Sequence, residues 1–195
     1  MIPSVSTPIL QLKITLKKSN PPIFRRVEVP DGFNLADLHT IIQVSMGWDD
    51  AHAHQFTVGD QRYTARAIPA DKAGIYLPAQ SILLNTVFLS VKNKIQYDYD
   101  FGDNWAHTIE LEKILPFVEQ TDYPRCTVGS MACPMEDCGG LQRYYYLLEV
   151  LQNPTHPDYF EILEWAGGDI YPEDFSTEDV NKDLKAAFKY LDTIN

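Results

Sequence analysis

LQLKITLKKSNPPIFRRVEVPDGFNLADLHTIIQVSMG, residues 10–47, decides the fold. From Leu10 to Lys17 the residues alternate, Leu10, Leu12, Ile14 and Leu16 on one face and Gln11, Lys13, Thr15 and Lys17 on the other. That is the pattern of a half-buried strand. Ser19, Asn20, Pro21 and Pro22 supply a turn, IFRRVEV returns as a second strand, and Pro30, Asp31 and Gly32 end it. Asn34 then caps a helix whose Leu35, Leu38, Ile42 and Met46 recur at helical spacing, with Gly47 placed to stop it in the left-handed conformation. The chain opens β-β-α.

Working outward, strand patterns cover His52 to Val58 and Gln61 to Arg66, joined by Gly59 and Asp60, and a second hairpin covers Lys94 to Phe101 and Trp105 to Leu115. If Gly102, Asp103 and Asn104 close that hairpin, Phe101 faces Trp105 and Tyr99 faces His107. After Pro116 a Pro/Cys/Gly loop runs to Gly140, and helical segments follow at Leu141 to Gln152, Asp158 to Ala166 and Thr177 to Leu191. Strands first and helices last predict an α+β fold: a mostly antiparallel, roll-like sheet starting β-β-α, helices packed on it, and a helical C-terminal part. The 195 residues suit one domain over 9–195, divided into a β-rich part (9–115) and the Cys loop with acidic helices (116–195), after a flexible segment 1–8.

The net charge of −11 is unevenly spread. Residues 1–97 carry ten Lys/Arg against seven Asp/Glu, whereas residues 98–195 carry six against twenty. The acidic half is a poor duplex-binding surface, since phosphate neutralisation supplies most non-specific affinity for nucleic acid. The mildly basic half, with Lys13, Lys17, Lys18, Arg62 and Arg66, leaves room only for weak nucleic-acid binding. No stretch approaches the ~20 apolar residues of a membrane span. The first residues lack a signal-peptide pattern, and three cysteines fit a reducing compartment better than a disulfide framework, so the expected location is cytoplasmic.

The chemistry-bearing residues concentrate between Tyr97 and Gly140. Asp98 and Asp100 share a strand face and could hold a cation, and His52 and His54 are spaced to present two imidazoles to one ion. Arg25, in phase with Ile23, Val27 and Val29, is expected on the buried face and there requires a partner, Asp100 or Asp103 being the acids nearest in character. Cys126, Cys133 and Cys138 have six and four residues between them, a loose spacing for zinc that would need a fourth ligand from His52, His54 or His107; a disulfide or redox pair and small buried thiols are the other readings. No phosphate-binding loop, HExxH, GxSxG or dinucleotide fingerprint is present.

Several segments in order, LKITLKKSNPPIFRRVEVP, NLADLHTIIQVSMGWDDAHAHQF, YDYDFGDNWAHTIELEKIL, YPRCTVGSMACPMEDCGG and HPDYFEILEWAGGDIYPEDFSTEDVN, resemble the plasmid pRiA4b ORF-3-like family, proteins carried by insertion elements and plasmids. The resemblance runs from about Ile9 to Leu184 and departs from the family pattern at Phe24, where a Trp is usual. It implies an α+β roll and a shared site of Arg25, Arg26, His52, His54, Asp100, Asp103, Trp105 and His107. The expectation from these signals is a non-catalytic accessory or protein-interaction domain associated with mobile elements. The alternatives are a metal-dependent hydrolase or nuclease using His52, His54 and His107 with Asp100 or Asp103, and a weak nucleic-acid-binding accessory protein.

Overall fold

The computed structural model describes residues 7–72 and 74–189. Most of the expected flexible segment 1–8 and Leu191 of the last helix lie outside them, whereas the carbonyl of Pro8 already accepts a hydrogen bond from the Asp31 amide at 3.0 Å. The opening hairpin is β1 (Ile9–Leu16) paired with β2 (Phe24–Pro30), Ile14 opposite Arg25 and Leu12 opposite Val27. Helix α1 (Leu35–Met46) follows, and its ends are built as the sequence indicates. The Asn34 side chain accepts from the amides of Ala36 and Asp37, Asp37 returns a bond to the Asn34 amide, and Gly47 ends the helix at φ 81°. Such a reciprocal cap is worth about 1 kcal/mol over alanine.

Eight strands form one sheet among the described residues. Besides β1 and β2 they are β3 (His54–Val58), β4 (Gln61–Thr64), β5 (Leu77–Pro78), β6 (Lys94–Tyr99), β7 (Trp105–Leu115) and β8 (Arg125–Ser130). Their order is β5-β4-β3-β6-β7-β1-β2-β8, antiparallel throughout except for the β4–β5 pair. The helices besides α1 are the short α2 (Leu84–Val87), α3 (Gly140–Leu151), α4 (Tyr159–Ala166) and α5 (Thr177–Ala187). None of them is long and apolar enough to cross a membrane.

The core forms where α1 lays Leu38, Ile41 and Ile42 against Leu12, Ile14, Val27, Ile109 and Leu111, all with no exposed surface. Each such side chain contributes about 1.5–3 kcal/mol of burial. The opposite face of β1, β2 and β7 carries paired charges, among them Arg26 with Glu112 at 2.5 Å.

Two sequence expectations change. The β6–β7 loop spans Asp100 to Asn104, so Tyr99 faces Trp105 and Tyr97 faces His107, while Phe101 stands half in solvent at the tip. The cause is local: Asp100 turns left-handed at φ 52°, its Oδ1 accepts from the Gly102 amide at 2.9 Å, and its carbonyl accepts from Asn104. The second change is β8, an edge strand inside the expected Pro/Cys/Gly loop. The Asn181 side chain of α5 accepts from the Cys126 amide at 2.7 Å and donates to the Cys126 carbonyl at 2.9 Å, covering that edge.

Candidate functional site

At the end of the sheet where β3, β6 and β7 meet, the rung of His54, Tyr99 and Trp105 lies beside the rung of Phe56, Tyr97 and His107. Trp48, just past α1, stacks on Tyr99 and Trp105 with ring centroids at 5.0 and 6.0 Å and meets His107 edge-on at 5.5 Å. His107 is fully buried there. Neither of its ring nitrogens makes an aligned hydrogen bond, and burial pushes it down to about 4, partly offset by the backbone of Trp105 and Tyr97.

One imidazole–carboxylate cluster is built into this core. His39 of α1 stacks on His54 with ring centroids 3.5 Å apart. The Gln43 amide donates to the Tyr97 hydroxyl at 2.9 Å, and because the Asp50 carboxylate at His39 Nε2 can only accept, that hydroxyl gives its own hydrogen to His39 Nδ1, also at 2.9 Å. His39 then carries its proton on Nε2 and donates to Asp50 Oδ1 at 3.0 Å. Asp50 is clamped in turn by Arg66 at 2.9 Å and by the Gln43 side-chain oxygen, which accepts from its amide at 3.1 Å. His54 Nε2 accepts from the Ala65 amide at 3.0 Å, which leaves the proton on Nδ1. Burial first, then neighbouring positive charge, lowers His39 to about 4 and His54 to about 3. Both are neutral and committed to the fold.

A second cluster lies outside it, under the Cys loop. His52 Nε2 is 3.2 Å from Asp137 Oδ1 and 3.8 Å from Asp100 Oδ2. The His52 side chain is 28% exposed, that of Asp100 10% and that of Asp137 75%. The backbone of His52 is fixed from both sides, its amide donating to the Tyr99 hydroxyl at 3.3 Å and its carbonyl accepting from Arg66 at 2.9 and 3.1 Å. Tyr99 donates onward to Glu136, and burial together with that acid raises its hydroxyl well above the usual range. The Cys loop is tied to the β6–β7 tip at Asp103, which accepts from the Gly139 amide at 3.0 Å. Gly140 has to be glycine: φ is 80°, and a Cβ would stand 2.7 Å from the Asp103 carbonyl. A concavity of about 210 Å³, lined by Asp137, Cys138, Arg143, Leu147, Ile162 and Trp165, opens beside this cluster.

The expected single site therefore divides. Arg25 is buried, as strand alternation requires, but it meets no carboxylate among the described residues. Its guanidinium donates to the carbonyls of Ser45, Phe24 and Ser130 at 2.7–3.1 Å and lies 4.0 Å over the Phe175 ring. Phe175 fits because residue 129 is glycine, where a Cβ would come within 2.3 Å of the ring. Burial lowers Arg25 from its ordinary value, with Cys133 and Cys126 acting in the opposite sense. Arg26 is on the other face of β2, paired with Glu112, and Trp105 is a core residue. Asp98 is bonded to Gln55 at 3.0 Å, apart from Asp100, whose left-handed turn takes it out of strand phase.

The hydrolytic ligand set does not assemble, because His52, His54 and His107 have no choice of nitrogens that all lie within 4.8 Å of one another. His52 precedes β3, so alternation does not extend to it, and His107 is two strands away from His54, roughly 10 Å across the sheet. Nor does the zinc set of Cys126, Cys133, Cys138 and His107 come together. All three thiols are free, and Cys126 instead faces the Val128 carbonyl at 3.6 Å. Burial raises Cys126 and pushes Cys133 up to about 12 and Cys138 up to about 11, which keeps them protonated. What sequence reasoning missed is His39, Asp50 and Asp137. The first was legible, since Leu35, His39, Ile42 and Met46 share one helical stripe; Asp137 had no signal beyond its place in PMEDCGG.

Residues 8–182 match the model of the family described as plasmid pRiA4b ORF-3-like protein. The chain is 34% identical over 165 residues to the uncharacterized protein y4hQ of Sinorhizobium fredii, which covers 84% of this chain and 83% of the relative. It is also similar to the crystal structure of MM3350, a protein of unknown function from Methanosarcina mazei Go1. That likeness has a TM-score of 0.80 and 35% identity, covering 89% of this chain and 97% of the other. The chain belongs to the plasmid pRiA4b ORF-3-like family.

Proposed function

We propose that this member of the plasmid pRiA4b ORF-3-like family is a non-catalytic, cytoplasmic protein-interaction domain that serves as an accessory factor of mobile elements. The observation that supports the reading is a run of solvent-facing aromatics on the acidic C-terminal part: Phe160 is 75% exposed, Trp165 51% and Tyr171 65%. Large aromatics in water are unfavourable unless something covers them, and they are the side chains that anchor protein interfaces. Residues 158–183 hold nine Asp/Glu against the single Lys182, so the surface that covers them should be basic around apolar pockets. Of the histidines the catalytic alternatives draw on, His54 spends its lone pair on the Ala65 amide and His107 is fully buried among aromatic rings.

The test is affinity capture from a host extract with the wild-type chain and with Trp165→Ala and Phe160→Ser, followed by reconstitution with the purified candidate. A protein that binds the wild type directly and is lost from both variants supports the reading. Recovery of nucleic acid that survives physiological salt, with no protein partner, overturns it.

A further inference from the structure

We propose that His52, Asp100 and Asp137 form a binding site for a single divalent first-row transition-metal ion, independent of the interaction surface on the C-terminal helices. Two groups of His, Asp, Glu or Cys among the described residues bring three ligand atoms within 4.8 Å of one another. In the group of His39, Asp50 and His54 neither imidazole has a lone pair to give. The nitrogen of His39 that faces Asp50 carries a proton, and the lone pair of His54 is taken by the Ala65 amide. An ion there would have to displace both of these hydrogen bonds.

The group of His52, Asp100 and Asp137 is in the opposite condition. His52 Nε2 is screened from water, yet neither carboxylate beside it completes an aligned hydrogen bond. Its 3.2 Å separation from Asp137 Oδ1 is that of two ligands around a common centre, and Asp100 Oδ2, at 3.8 Å, stands slightly farther out than such ligands do. Ligands at ~2.1 Å from an ion with angles near the octahedral or tetrahedral value stand roughly 3.0–3.4 Å apart. Asp100 and Asp137 present two like charges to each other across this space, a repulsion that a dication relieves. Two of the three donors are also held in place without the ion. The His52 backbone is fixed by Tyr99 and Arg66, and Asp100 is fixed by the Gly102 amide through Oδ1, which leaves Oδ2 turned to His52. One imidazole and two carboxylates select a borderline cation such as zinc, manganese or cobalt over magnesium, which prefers all-oxygen ligation. Asp137, shared with the concavity of Arg143 and Trp165, puts the ion's remaining positions on the solvent side.

The experiment is calorimetric titration of the chelator-treated full chain with zinc chloride, repeated with Asp137→Asn and His52→Gln, whose folding is checked by thermal melting. One ion per chain is expected for the wild type, with binding weakened at least about tenfold in each variant. Asp137 is exposed, so its amide variant keeps the test valid even if the His52 variant misfolds. Cobalt loading supplies an independent readout, with a spectrum of nitrogen and oxygen ligation expected. Absence of binding to the wild type, unchanged binding to Asp137→Asn, or a thiolate-to-cobalt charge-transfer band, which would put the ion on the cysteines, overturns the proposal.

Discussion

The two imidazole–carboxylate clusters sit side by side at one end of the sheet, and what separates them is the accounting of their imidazole lone pairs. In the cluster of His39, His54 and Asp50, the Tyr97 hydroxyl and the Ala65 amide take the imidazole lone pairs, while the His54 Nδ1 proton lacks a partner. In the cluster of His52, Asp100 and Asp137 an imidazole nitrogen faces two carboxylates without completing a bond to either. Residue types are the same in both. Occupied imidazole lone pairs make one a piece of the core, and an unoccupied one makes the other a place where something binds.

Acid should expose the difference most strongly. His39 and His107 are held to about 4 and His54 to about 3, whereas in the unfolded chain all three take up protons near 6.5. The unfolded state therefore binds more protons throughout that window, and stability falls as pH drops from about 6.5 toward 4. The slope is as much as ~1.4 kcal/mol per pH unit for each histidine. Urea midpoints measured from pH 7 to pH 5 check this; a flat profile would mean that the inner imidazoles are already protonated in the fold.

Replacing His39 by Ala is the next largest effect. It removes the stack on His54 and leaves the Tyr97 hydroxyl and Asp50 without their partner, a loss of about 3 kcal/mol in equilibrium denaturation. Tyr97→Phe is milder, since it deletes a hydroxyl between Gln43 and His39 while keeping the ring; about 1–2 kcal/mol is expected. Asp137→Asn should shift stability by no more than about 0.5 kcal/mol, because the side chain is exposed. A comparable loss for Asp137→Asn and His39→Ala would erase the distinction between the clusters.

The opening β-β-α was legible because alternation, a capping box and a left-handed glycine are local and agree with one another. Arg25 shows how far such reasoning reaches: its burial followed from strand phase, but its partners are carbonyls on β2, α1 and β8 and the ring of Phe175, supplied by segments up to 150 residues away. The residues expected to share one site lie apart for the same reason. His52 and His54 are two residues apart, yet the strand begins only at His54, so the two imidazoles part company at the boundary. Asp100 was predicted in strand phase and instead starts a left-handed turn, and it is that turn which brings it to His52. Asp137 arrives on a loop whose path is set by Gly139 and Gly140 against Asp103, a contact no local pattern encodes.

The most direct test is imidazole NMR of the folded chain, with each histidine assigned by substitution, followed first from pH 8 to pH 5.5 and then during zinc addition at pH 7. The account predicts that His39, His54 and His107 keep neutral-imidazole shifts across the whole pH range, and that zinc moves the His52 ring while leaving the His39 and His54 rings where they were. Titration of His39 near 6.5, or zinc-induced shifts on His39 and His54 with His52 unmoved, would contradict it.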